Sequence, residues 1–311
     1  MTTPKQNGAR NKQSGAALIV LMLVIVLSLV TLLTFRSERR GPELEAQRKT
    51  ALALAQAKEA LLGRAASNTS GSPSQPRPGI LPCPDTYARG DFNEGKSNPP
   101  CASNALGRLP WRTLGLPDLG DGAYGRLWYK LSVNFQGTGS KVNTTTAGTL
   151  TIGGAGPMFA AIVFAPGAPL DGQVRDTAHY NDFLAYLEGY TNVTDTDFNN
   201  ASAQPINDRY ITILPSEIKN VIVPIVAEDV RISLNSYPPP LLSYPASYSA
   251  LTPSPWLTTN GWINGPIALI TYQKTGATVQ VGFSPGGCQT VYQYRWDADL
   301  DQTVMVRNGK C

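Results

Sequence analysis

The sequence predicts an α+β protein in which a long N-terminal helix, transmembrane in its first half, precedes a β-rich globular domain with antiparallel hairpins. Three observations lead to this fold class. An apolar run without charge or proline covers 16–35, and at about 1.5 Å per residue it matches a bilayer core about 30 Å thick. Strong helix formers continue to residue 66. Short β-branched and aromatic runs, bounded by glycine and proline, follow towards the C-terminus.

The residues before the apolar run form a short polar leader, 1–15, which contains Lys5, Arg10 and Lys12 and no acidic residue. A secretory signal has its small-residue cleavage site after the apolar run. Here the small residue, Gly15, comes before it. This order resembles the leader of type IV pilins and type II secretion pseudopilins, in which a prepilin peptidase cuts after the glycine. The resemblance implies cleavage between Gly15 and Ala16, followed by methylation of the new N-terminus.

After the predicted transmembrane helix, 36–66 is predicted to continue as an amphipathic helix with a kink or restart at Gly41-Pro42. One face of this helix is expected to carry an apolar stripe made of Leu44, Ala51, Ala55 and Leu62, which packs either on the globular domain or on neighbouring helices. The remaining 67–311 is predicted to be one β-rich domain in the periplasm, which makes the chain a single-pass protein of a bacterial inner membrane. The five Lys and Arg residues of 36–49 favour the opposite orientation, whereas the pilin resemblance and the cysteines favour this one.

Within the domain, two helices and two C-terminal hairpins are predicted. The helices are 181–190 and a segment from Ser216 to about Leu234, which Pro224 should kink. The hairpins pair 267–272 with 278–283, and 290–296 with 303–307. Between helices and hairpins, a proline-rich segment contains aromatic residues that form either a sugar- or peptide-binding surface or the cover of a core: Tyr237, Tyr244, Tyr248 and Trp256.

The four cysteines, Cys83, Cys101, Cys288 and Cys311, predict two disulfides in an oxidising compartment. A zinc site is disfavoured because the chain has a single histidine and no C-x-x-C motif. A hairpin that pairs residue i with residue 599 − i places Cys288 opposite Cys311, with its turn at 299–300. Cys83 and Cys101 then pair by elimination.

Asp297, Asp299 and Asp301 alternate in the predicted turn of that hairpin, as calcium ligands often do. They lack the loop glycine and the final glutamate of a calcium loop, so a solvated acidic turn is the competing interpretation. No other cofactor is expected.

A G-x-S-x-G match at 282–286 cannot form a nucleophile elbow because Pro285 has no N–H for the oxyanion, and we expect no enzyme. The net charge of +4, without a basic patch, gives no reason to expect nucleic-acid binding.

Further pieces of the chain resemble pilin-like proteins that carry an enlarged C-terminal domain: GILPCPDTYARGD at 79–91, GRLPWRTLGLPDLGDG at 107–122 and RLWYKLS at 126–132. The fifth residue after the predicted cleavage is Val20, where most pilins have glutamate. This departure resembles the pseudopilin that occupies a filament tip. The resemblance implies a minor pilin or pseudopilin-like subunit, at a tip or in assembly initiation. Its implied partners are the prepilin peptidase, other subunits through the N-terminal helix, and the inner membrane. The alternative is a membrane-anchored periplasmic binding or adhesion module that does not polymerise.

Overall fold

The computed structural model describes residues 14–67, 77–137, 141–199, 205–237, 243–251, 255–262, 270–283 and 290–308. In its first helix, the side chains are described over 18–31 and 42–67. The chain separates into two compact units, Met1–Arg48 and Lys49–Cys311. Residues 49–66, which the sequence assigns to the helical continuation, therefore belong to the same compact unit as the β-rich domain.

Helix α1 comprises Ser14–Ser67. Within the described part of the chain, no helix is both long enough and apolar enough to cross a membrane. The prediction of a transmembrane helix over 16–35 is therefore wrong. The single-pass location in a bacterial inner membrane, which depends on that helix, is wrong with it.

The second unit buries a different face of α1 from the one predicted. Leu44 is 63 % exposed, Ala51 and Ala55 are exposed, and Leu62 is only partly buried. The buried positions instead recur at about four-residue intervals: Ala53, Leu54, Ala57, Leu61 and Ala65. Of the two alternatives for the stripe, packing on the globular domain is wrong, because the sequence Ala51-Leu52-Ala53-Leu54-Ala55 is apolar on several sides and the packing partner selects the buried face.

Eleven strands are described, and in chain order they are β1 Leu106–Arg108, β2 Trp128–Leu131, β3 Leu150–Ile152, β4 Ala155–Phe159, β5 Ala161–Ala165, β6 Asp197–Phe198, β7 Arg209–Ile213, β8 Ile270–Thr275, β9 Thr278–Phe283, β10 Thr290–Asp297 and β11 Gln302–Asn308. They form three sheets, with the orders β1-β2-β5-β7, β4-β3-β6 and β11-β10-β9-β8. All neighbours are antiparallel except β3 and β6, which are parallel.

Strand β5 lies inside the first sheet and is buried on both faces. Ala161, Val163 and Ala165 belong to the larger hydrophobic core, which also contains the buried side of α1. Ile162 and Phe164 belong to a second, aromatic-rich core. Because successive side chains of a strand point to opposite faces, this one strand contributes to both cores.

Helix α2, Pro215–Leu234, confirms the predicted second helix of the domain. Its start is fixed by Glu217, whose Oε2 accepts a hydrogen bond from Leu214 N at 2.9 Å. Pro224 is accommodated inside the helix. Its buried face includes Ile218, Ile222, Val226 and Val230, which pack in the larger core. A short helix α3, Pro255–Thr259, follows.

The predicted helix at 181–190 is wrong, because the chain forms only a 3-10 turn at Phe183–Ala185. Asp182 accepts a hydrogen bond from Leu184 N at 3.1 Å and caps this turn. Gly189 then packs its backbone directly against the ring of Phe198, and the space a Cβ would need is occupied by that ring.

The two predicted C-terminal hairpins are confirmed. Strands β8 and β9 pair from Ile270 opposite Phe283 to Thr275 opposite Thr278. Strands β10 and β11 pair from Val291 opposite Asn308 to Asp297 opposite Gln302, so each pair of residue numbers sums to 599 as predicted.

Candidate functional site

Cys83 and Cys101 form a disulfide with their Cα atoms 5.6 Å apart, which confirms the predicted pairing. The second predicted pair, Cys288 and Cys311, lies outside the described residues. Gly15 and Ala16 lie in the first turn of α1. Their role as a processing site stays a prediction.

The acidic turn between β10 and β11 is organised by its own hydrogen bonds. Asp297 Oδ1 accepts from the backbone N–H groups of Asp299 and Leu300, at 3.1 and 3.2 Å. Asp301 has a positive φ of 50° and ends the turn. No group of three or more His, Cys, Asp or Glu side chains among the described residues is placed to hold a metal ion. The calcium hypothesis for Asp297, Asp299 and Asp301 therefore gains no support.

The aromatic residues proposed as a binding surface mostly cover the larger core. Tyr244 is 2 % exposed and Trp256 is 4 % exposed. The Tyr244 hydroxyl lies 3.0 Å from Thr303 Oγ1, and the Tyr237 hydroxyl donates to Ala250 O at 3.0 Å. Of the two alternatives for this segment, the cover of a core is therefore confirmed for Tyr244 and Trp256, and a binding surface is excluded for them because neither ring is accessible.

Beneath the disulfide, the loop 83–101 is held by a buried carboxylate. Asp85 is 1 % exposed and accepts hydrogen bonds from Tyr87 N at 2.9 Å and Gly95 N at 2.7 Å. Burial raises the pKa of Asp85, and these two hydrogen bonds oppose the rise. The backbone of Asp85 also pairs with Arg108, so the loop is attached to the first sheet.

Arg108 is only 3 % exposed, and its guanidinium lies inside a cage of three aromatic rings. The centre of its guanidinium is 4.2 Å from the ring centroids of both Trp128 and Tyr186, and 4.6 Å from that of Tyr180. Its Nη2 donates to Tyr180 O at 2.5 Å, whereas its Nε is buried without a hydrogen-bond partner. Burial lowers the pKa of Arg108, and the surrounding tyrosines partly offset that effect. The cage therefore stabilises a cation by cation–π contact and carbonyl acceptors.

A second arginine, Arg126, joins three separate segments of chain. It donates to both Glu94 and the hydroxyl of Tyr180, and its Nη2 lies 2.7 Å from Asp118 Oδ2. Burial alone would lower the pKa of Arg126, but the hydrogen bond with Glu94 and the charge of Asp118 outweigh it, and the pKa is raised. Because Glu94 lies within the disulfide loop, this ion pair gives the loop a second attachment beside that of Asp85.

The space enclosed by this cluster is about 10 Å³, room for about one water molecule. The cluster can therefore order the loop 83–101, but the cavity it encloses is too small to hold a substrate. A larger groove of about 300 Å³ lies beside the disulfide. It is lined by neutral residues, among them Thr86, Asn98, Cys101, Val193 and Thr194.

Sequence reasoning missed the arginine pair, although a signal was present. The triplet Gly-Arg-Leu occurs twice, at 107–109 and 125–127. Both glycines are required by close packing, since a Cβ at Gly107 would lie 2.7 Å from Asp85 O, and one at Gly125 would lie 3.1 Å from Asp121 Oδ2. A repeated Gly-Arg-Leu triplet in a chain with few charges could have identified both residues.

Searches of protein-family models, of curated proteins and of solved structures find no match for this chain.

Proposed function

We propose that this chain is a structural subunit of the pilin-like class, a minor pilin or pseudopilin-like protein at a filament tip or in assembly initiation. One observation carries the proposal. The leader 1–15 is cationic and polar and ends in Gly15. This small residue lies before the apolar helix, whereas the cleavage site of a secretory signal lies after the apolar run. This order matches what a prepilin peptidase cuts, and it is unlike a secretory signal.

The first unit supports the proposal through its exposed apolar side chains. The large apolar residues from Leu18 to Val30 are each 49–67 % exposed. A helix that is apolar on all sides needs other apolar surfaces around it. We propose that these surfaces are the corresponding helices of other pilin-like subunits.

The second unit supports a structural role through its stiffness. The disulfide, the Asp85 hydrogen bonds and the Arg126–Glu94 ion pair all constrain the same loop, 83–101. Val20 supports a tip or initiating position, because a subunit without a carboxylate there cannot neutralise the N-terminal amine of a neighbour. A subunit with this helix need occur only once per filament.

N-terminal processing tests the class. The full chain is produced in cells with and without a prepilin peptidase, and its N-terminus is read by mass spectrometry. We expect loss of residues 1–15 only when the peptidase is present. Gly15→Val should block cleavage, whereas Gly8→Val, a matched change elsewhere in the leader, should not. An intact Met1 in the presence of the active peptidase would overturn the proposal.

Immunogold labelling of the C-terminal domain tests the position. Labels confined to filament ends support a tip subunit, and continuous labelling along the shaft contradicts it.

A binding module that does not polymerise is the alternative function, and the groove of about 300 Å³ beside the disulfide is the observation in its favour. That alternative requires no cleavage after Gly15, so the processing experiment separates the two.

A further inference from the structure

Strand β11 is the outermost strand of its sheet and pairs with β10 on one side only. Near its start, the backbone of Thr303 is bound by side chains at the end of α2. Thr303 N donates to Asn235 Oδ1 at 2.6 Å, and Thr303 O accepts from Arg231 Nη1 at 3.1 Å. Both backbone groups of Thr303 therefore point away from β10. Because backbone groups along an antiparallel strand point alternately to either side, those of Met305 and Arg307 point the same way.

Beyond Thr303, this outer edge of β11 is open. Among the described residues, no group bonds the backbone N–H or C=O of Met305 or Arg307. The pairing with β10 keeps one register along the whole strand, and the strand contains no proline. Val306 is 48 % exposed, and the two residues after it are exposed as well. The edge therefore presents two donors and two acceptors in a row, which another strand can use.

The other sheet edges in the described part of the chain are short, covered or interrupted. The backbone of Asp85 pairs with β1, and Lys58 donates to a carbonyl oxygen of β7. Side chains of β8 bind the carbonyl oxygens of Tyr244 and Pro245, which holds segment 243–251 beside that strand. Strand β6 has only two residues, and β4 contains Pro157. Such devices prevent edge-to-edge pairing, and the described residues provide none for the outer half of β11.

We propose that this edge pairs with the same edge of a second copy of this chain, in antiparallel orientation about a two-fold axis at Val306. Outward-facing residues must lie opposite outward-facing residues, so the axis passes through a residue and not between two. With the axis at Val306, Met305 of each copy lies opposite Arg307 of the other. Each of these two pairs exchanges both of its main-chain hydrogen bonds, which makes about four bonds in all.

The other two-fold registers are less favourable. An axis at Met305 leaves a single outward pair free, because the next pair includes Thr303, which α2 already holds. An axis at Arg307 sets two like charges directly opposite each other. The axis at Val306 instead sets valine against valine on the exposed side of the sheet. A longer foreign strand along the whole edge would have to displace the α2 side chains from Thr303, whereas the open row of a second copy has the same length.

The proposed contact is small, so we expect a weak dimer whose population rises with concentration. It joins the four-stranded sheets of two copies into one continuous sheet. The pairing involves only the second unit, and cleavage after Gly15 plays no part in it. This inference is therefore independent of the proposed function.

Disulfide trapping on the full chain tests the pairing, in mild detergent because the first unit exposes apolar side chains. V306C should form a disulfide-linked dimer on mild oxidation, since the two Cα atoms across the axis are about 4.5 Å apart. V304C is the matched control. It changes the same residue type on the same side of the same strand, but its two copies lie about 13 Å apart along the strands, beyond disulfide reach.

Peptide mapping of the V306C dimer should place the link between the two 306 positions. A dimer yield from V306C that does not exceed the yield from V304C would overturn the proposal. A link that joins position 306 to any other position would overturn it as well.

A proline at 307 separates main-chain pairing from side-chain contact. R307P removes an N–H that points away from β10, so the ladder inside the protein keeps its bonds, whereas the dimer loses about half of its main-chain bonds. In the V306C background, R307P should weaken the association roughly tenfold, whereas R307A, which keeps the N–H, should have little effect. Equal dimer yields from these two double variants would contradict main-chain pairing. Circular dichroism checks folding, and if R307P does not fold, the contrast between V306C and V304C decides alone.

Discussion

Lys58 on α1 lies 2.6 Å from Glu217 at the start of α2, measured from Nζ to Oε1. The same Nζ donates to Thr212 O at 3.0 Å, at the end of β7. The second carboxylate oxygen of Glu217 caps Leu214 N. One ammonium group therefore connects a helix of the core, the edge strand of the first sheet and the first turn of the next helix.

Lys58→Met should destabilise the second unit by about 1–2 kcal/mol, since it removes a partly buried ion pair and leaves Thr212 O without its donor. The apolar stem is retained by methionine, so packing changes little. Urea unfolding monitored by circular dichroism measures the effect. Lys141→Met, at an exposed lysine, should change stability by less than about 0.5 kcal/mol. Equal effects of the two variants would contradict the bridging role.

Leu61→Ala tests the corrected face of α1. Leu61 is fully buried in the larger core, whereas Leu52 is 54 % exposed. The first truncation should cost about 2–5 kcal/mol through lost burial and the cavity it leaves. Leu52→Ala is the control, with an expected change below about 0.5 kcal/mol. Comparable losses at both positions would mean that α1 buries another face.

The sequence predicts the second hairpin and helix α2 but not the buried face of α1. The register of the second hairpin was predictable because placing Cys288 opposite Cys311 gives a sum of 599 and puts the turn in the polar stretch 297–301, and β10 and β11 follow that register. Helix α2 was predictable from its apolar period. The buried face of α1 was not, because alanine and leucine occupy several of its faces and only the sheet decides between them.

The same limit applies to the candidate site. The Cys83–Cys101 pairing followed from elimination, but the arginine pair depends on contacts between residues far apart in sequence, such as Arg126 with Glu94 and Tyr180. The error at 16–35 is of another kind: the prediction used the apolar composition of the run alone, whereas no helix in the described part of the chain is both long and apolar enough to cross a membrane.

Arg108→Lys should be nearly as harmful as Arg108→Met, with a cost of about 2–4 kcal/mol. A compact ammonium cannot stack between Trp128 and Tyr186, and among the described residues no carboxylate bonds the guanidinium directly. Thermal and urea unfolding of both variants measure this. Arg112→Lys is the control, because Arg112 is exposed and its guanidinium lies 5.0 Å from a single ring, that of Trp111. A lysine at 108 that keeps wild-type stability would show that the charge, and not the stacking, matters.

Cys83→Ser with Cys101→Ser should destabilise the protein by about 3 kcal/mol, the chain-entropy cost of a loop of this size. The loss should be partial because Asp85 and Arg126 still hold the loop. Proteolysis should therefore accelerate within 83–101 before global unfolding. Reduction of the wild type should reproduce the effect, and a loop as resistant as before would argue that the hydrogen bonds alone suffice.

The last prediction concerns the second pair of cysteines, which lies outside the described residues. The ladder of β10 and β11 keeps the sum of 599 from Asp297–Gln302 out to Val291–Asn308. Continuing this register by three residues on each strand brings the numbering to Cys288 and Cys311, and opposite residues of antiparallel strands have Cα atoms about 4.5–5.5 Å apart, within disulfide reach. Non-reducing peptide mapping should therefore yield one peptide linking Cys288 to Cys311 beside the one linking Cys83 to Cys101. Deleting one residue from the turn 298–301 should lower the yield of that link, because a one-residue slip turns the two side chains to opposite faces. Free thiols at both positions in the unreduced protein would contradict the prediction.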